Sequence, residues 1–97
     1  MPRYVALTSW TDQGIHDVKG TLQRAEQVQD LARQMGGDMH TLLWTQGRYD
    51  LIAVTDAPDD ATVAAIALRI GMSGNVRTEV LRAFDAEEMG QIITKLG

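Results

Sequence analysis

The order of hydrophobic periods along the chain constrains its fold more tightly than any single motif. Residues 3–10 (RYVALTSW) are β-branched and aromatic and stop at the turn signal Thr11-Asp12-Gln13-Gly14, a pattern that predicts a first strand. Ile15 and Val18 are read as one short helical turn. Beyond Gly20, Leu22, Ala25, Val28, Leu31, Ala32 and Met35 recur at helical spacing, and Gly36-Gly37 supplies the stop. Residues 39–46 (MHTLLWTQ) and 49–56 (YDLIAVTD) flank Gly47-Arg48, which predicts a type II′ hairpin because glycine tolerates positive φ. Pro58-Asp59-Asp60 opens a second helix, with proline in the first turn and acids at the positive end of the dipole, and this helix runs to about Met72. Residues 75–84 (NVRTEVLRAF) make a fourth strand. Asp85 with Glu88 then forms a capping-box-like start to a last helix that gathers Met89, Ile92, Ile93 and Leu96 on one face.

No linker, repeat or charge run interrupts this order, so residues 1–97 are predicted to be a single domain. A β-α-β-β-α-β order is two interleaved crossover units, which gives a four-stranded antiparallel sheet of strand order 4-1-3-2 with both crossover helices on one face. The expected class is therefore α+β, ferredoxin-like, with an extra C-terminal helix. A domain of 97 residues buries only about 60 to 65% of the surface its unfolded chain exposes, so its size favours association with a partner.

The strands point to the same conclusion. One wet face on an antiparallel sheet should produce clean alternation of apolar and polar residues. Here Leu51 and Ala53 alternate with the equally apolar Ile52 and Val54, and Val5 and Leu7 alternate with Tyr4, Ala6 and Trp10. Helices cover one face only, so the other is predicted to pack against an identical sheet as a homodimer, or as a larger assembly of dimers. The competing explanation is central strands that are simply rich in β-formers. The second helix, with Val63, Ala64, Ala65, Ile66, Ala67, Leu68 and Ile70, is apolar nearly all round and predicts cover on a further side, from a second protomer or the last helix.

Composition removes several functions. The chain has no cysteine, which excludes disulfide frameworks, thiolate nucleophiles and cysteine-ligated metal centres. No cofactor motif is present and none is predicted, although a noncovalently bound redox group stays open. The net charge of −4, with its nine Lys and Arg scattered, disfavours nucleic acid. The opening residues enter a strand pattern with no signal-peptide leader, and the longest apolar run, residues 63–68, is far short of the roughly 20 residues of a membrane span. The expectation is a cytoplasmic protein with no membrane partner.

Topology locates a candidate site without a motif. The end of the first strand, the hairpin and the start of the fourth strand share one sheet edge. That edge collects Trp10, Asp12, His16, Trp44, Tyr49, Asp50, Asn75 and Arg77. Each has a structural reading beside the functional one. Asp50 is expected to pair with Arg77 or to cap a turn, with catalysis as the alternative. The aromatic residues are packing residues unless they line a ligand pocket. His16 is a solvated loop histidine unless it serves as a general base. His16 and His40 belong to opposite edges roughly 20 Å apart and so cannot share a metal within one chain. Gly71-Met72-Ser73-Gly74 follows a helix and lacks the lysine of a phosphate loop, so it is read as helix termination.

Trp10-Thr11-Asp12-Gln13-Gly14, Gly47-Arg48-Tyr49-Asp50, Ala57-Pro58-Asp59-Asp60 and Gly74-Asn75-Val76-Arg77-Thr78 together resemble the pattern of the GYD-domain proteins over nearly the whole chain. The resemblance implies a ferredoxin-like domain of the dimeric α/β-barrel type. It transfers no catalytic residue, and His16 is outside the pattern. Two functions follow as expectations. The first is a homo-oligomeric domain that binds a small-molecule ligand or another protein. The alternative is a cofactor-independent enzyme, of monooxygenase or isomerase type, in which a pocket between sheet and helices positions the substrate.

Overall fold

The computed structural model describes residues 1–97. The elements are β1 (Arg3–Trp10), α1 (Asp12–His16), a 3₁₀ turn (Val18–Gly20), α2 (Thr21–Gln34), β2 (Asp38–Trp44), β3 (Leu51–Asp56), α3 (Asp60–Gly71), β4 (Val76–Ala83) and α4 (Ala86–Thr94). The four strands form one antiparallel sheet in the order β2-β3-β1-β4, the arrangement read from the element order. Ala6 pairs with Ala53 on one side and Val80 on the other, all three on the face covered by α2 and α3. Ala32 and Ile66 pack with Met39 and Ala53 in one core cluster, and Tyr4, Ala57 and Val63 form a second.

Three local expectations are corrected. The hairpin is not a two-residue turn, because β2 ends at Trp44 and β3 begins at Leu51. Gly47 does take a positive φ of 102°, but the loop is closed by Thr45 N–H donating to the Asp50 carbonyl at 2.8 Å. The cause lies in β1: Asp50 N–H donates to the Thr8 carbonyl at 2.8 Å, which draws Asp50 toward β1. Pro58 lies before the second long helix instead of in its first turn, because the Asp59 side chain takes the cap by accepting from Thr62 N–H at 2.8 Å. The short turn after β1 is longer than expected, a helix followed by a 3₁₀ turn.

The last helix starts as its sequence requires. Asp85 Oδ1 accepts from Glu88 N–H at 2.8 Å and Glu88 Oε1 accepts from Asp85 N–H at 3.2 Å. Yet α4 has no buried residue, and it leaves the outward side of α3 uncovered, with Leu68 72% exposed. The radius of gyration is 14.5 Å, against about 12.5 Å for a compact chain of this length. The accessible surface is 6506 Å² for 10.7 kDa, about 1000 Å² more than a compact monomer of that mass.

Candidate functional site

The predicted edge is assembled. Trp10 pairs with Val76 and Thr8 with both Leu51 and Thr78, which brings the ends of β1 and the starts of β3 and β4 together. The segment after β1 is docked onto the one before β4 by a set of short bonds. Thr11 N–H donates to the Asn75 carbonyl at 3.0 Å and Thr11 Oγ1 donates to the Gly74 carbonyl at 2.5 Å. The same hydroxyl accepts from Gly14 N–H at 3.1 Å and so caps α1. Gln13 Nε2 donates to both the Ser73 carbonyl and Asn75 Oδ1 at 3.1 Å. Most of the polar groups of both motifs are therefore engaged in holding two loops together.

The candidate residues divide among different places. Asp50 Oδ2 accepts from Trp10 N–H at 2.8 Å, so its side chain extends the β1–β3 ladder by one bond ahead of the start of β3. The expected ion pair with Arg77 does not form: the carboxylate–base pairs are Arg3–Asp56, Asp30–Arg33 and Arg82–Glu88, with His40 Nε2 also beside Asp56. Arg77 stands exposed opposite Ser9 on β4, with β1 between it and β3, and the Asp50 carboxylate is taken by the Trp10 N–H. Tyr49 Oη donates to Glu79 Oε2 at 3.0 Å, which raises the phenol above its ordinary pKa, with burial as the lesser cause. Asp12 and His16 are exposed on α1. Trp44 Nε1 donates to Thr21 Oγ1 at 3.0 Å, and Trp10 is half-buried.

The opposite edge is charged. Asp56 accepts from Arg3 Nε at 2.9 Å and has His40 Nε2 at 3.5 Å from its other oxygen. The Arg3 hydrogen bond is the main cause that holds the Asp56 carboxyl below its ordinary pKa, against the opposing effect of burial. Tyr4 Oη donates to Asp60 close by, which raises the phenol.

Two features remain once these bonds are made. The first is the sheet face away from the helices, where Val5, Leu7, Ile52, Val54, Leu43 and Leu81 adjoin across three strand pairs. Leu43 is 58% exposed and Leu81 43%. The second is a cavity of about 110 Å³ between the sheet and the two long helices, walled mainly by apolar side chains and bounded by Trp10. Arg24 lines it, although it was absent from the expected site residues. A sequence signal existed: Arg24 falls inside the apolar stripe that Ala25, Val28, Leu31, Ala32 and Met35 make along α2, where a charge is out of pattern.

Residues 4–93 match the GYD domain. A protein of Thermus thermophilus described as a "Glutamine synthetase and cystathionine beta-lyase binding protein" is 31% identical over 90 residues, covering 92% of this chain and 95% of that protein. No helix here is long and apolar enough to cross a membrane.

Proposed function

This chain belongs to the GYD-domain family, and on that premise we propose that it is a protein-interaction module working as a homodimer, with a metabolic enzyme as its partner. The observation that carries the proposal is the open apolar sheet face. Its central residues Val5, Leu7, Ile52 and Val54 come from the two middle strands, so a two-fold axis through them sets the patch against itself. A patch of this kind rarely faces water in a lone chain.

A second protein is then met by what the pair leaves uncovered. Leu68 and Met72 at the end of α3, and Met89 and Ile93 on α4, are exposed on elements outside the sheet. The Thermus relative is described as binding glutamine synthetase and cystathionine β-lyase. The glutamine synthetase of this chain's own organism is accordingly the first partner to test. Sedimentation should give a dimer at micromolar concentration and a folded monomer for Ile52→Asp, while Leu68→Glu should stay dimeric and lose the enzyme. A wild-type monomer would refute the pairing, and no binding to either enzyme would refute the partner.

A further inference from the structure

We infer that the cavity between the sheet and helices α2 and α3 is a binding site for a small apolar carboxylate, with Arg24 as the residue that holds its head group. The lining is apolar over most of its extent, including Ala6, Val28, Ala53, Ile70 and Val80, and Arg24 is its one charged residue. Arg24 enters no hydrogen bond or ion pair of the chain, and its Nη2 is sealed from solvent without an acceptor. Gly20, one turn earlier, leaves room for the guanidinium: a Cβ there would stand 3.1 Å from Arg24 Nη1.

Burying a guanidinium N–H without an acceptor is costly, and an incoming acceptor removes that cost. No carboxylate of the chain lines the cavity, so an anionic acceptor for Arg24 has to come with a ligand. A planar carboxylate matches two parallel guanidinium N–H groups, and a single negative charge is all one guanidinium neutralises, which disfavours phosphate dianions in an apolar chamber. Thr21 lies three residues before Arg24 on the same helix face. Its Oγ1 accepts from Trp44 Nε1, so the hydroxyl proton is free to donate to the second carboxylate oxygen. The volume sets the size of the body. A chamber of about 110 Å³ is somewhat smaller than the engineered apolar cavity of roughly 150 Å³ that admits benzene. One ring or a branched aliphatic chain of four or five carbons is about the limit.

The proposal is independent of pairing, because every sheet residue of the lining faces the helices. Benzoate is the probe, with benzamide as the uncharged isostere and inorganic phosphate as the anion without a body. Calorimetry should give saturable benzoate binding, benzamide weaker by about tenfold for the lost charge-assisted contact, and no phosphate binding. Arg24→Met should abolish the preference for acid over amide, and Ala53→Val should weaken both by narrowing the chamber. Should Arg24→Met fail to fold, the Arg24 Nε–H resonance of the wild-type chain should still shift on adding benzoate and not on adding phosphate. Binding that persists in Ile52→Asp separates this site from the dimer. The proposal is overturned by no saturable benzoate binding, by equal affinity for benzoate and benzamide, or by an unmoved Arg24 resonance.

Discussion

A Cβ added to Gly14 would stand 1.9 Å from the Asn75 carbonyl oxygen, so this glycine is required by the close approach of two backbones and not by its own dihedral angles. Gly14→Ala should lower stability by about 3 kcal/mol in urea unfolding, because the clash is with backbone and the Thr11–Asn75 docking must open to relieve it. Asp50 belongs to the same scale. Asp50→Ala removes the acceptor of Trp10 N–H and should cost about 2 kcal/mol, whereas Asp50→Asn keeps an acceptor oxygen and should cost about half as much. Arg77→Ala should change stability by under about 0.5 kcal/mol, since no partner of Asp50 is lost. Urea titrations of the three variants check the assignment. A cost for Arg77→Ala equal to that of Asp50→Ala would restore the ion pair.

At the scale of the element, α4 is informative because its local signals are good and its tertiary support is slight: none of its residues is buried, and the Arg82–Glu88 pair ties it to β4. The capping box closes its first turn, but nine residues are too few for a helix to persist in water on propensity alone. Hydrogen exchange should find α4 amides protected far less than those of β1 and β3, which lie in the middle of the sheet. Asp85→Ala should remove about 1 kcal/mol of local helix stability and speed that exchange further, with the urea midpoint of the sheet unmoved. Protection of α4 equal to that of the central strands in the free chain would show that the helix is docked.

For the whole molecule, the pH dependence of stability comes from carboxylates held below their ordinary range. Asp56 is lowered chiefly by the Arg3 hydrogen bond, and Asp59 by the Thr62 bonds at the α3 cap, both from an ordinary value of 3.8. A carboxyl with a depressed folded pKa binds fewer protons folded than unfolded in the interval between the two values. Its stabilisation is therefore complete above about pH 5 and fades as pH falls through 3.8 toward the folded value. Thermal unfolding between pH 6 and pH 2.5 should show this decline, and Asp56→Asn should flatten it by removing the group that titrates. An unchanged acid limb in Asp56→Asn would place the titration elsewhere. Because Arg3, Asp56 and His40 join the first three strands at one edge, the loss is global and not confined to a loop.

Element order, the 4-1-3-2 sheet, the cap at Asp85 and the apolar character of both sheet faces were all legible in the residues, because each is recorded by spacing within one segment or by the few connections a right-handed crossover allows. The edge where Trp10, the hairpin and Asn75 meet was legible for the same reason. What Asp50 binds was not: Trp10 N–H and the Arg77 guanidinium are both offered by the topology, and a choice between them depends on distances of an ångström across segments far apart in sequence. The hairpin width was not legible either, since it is set by the Asp50 N–H bond to the Thr8 carbonyl, a contact between segments far apart in sequence. Whether α4 folds back, and whether Arg24 turns outward or into the core, are likewise decided by which surfaces pack first against the sheet, a property of the assembled chain that no local period records.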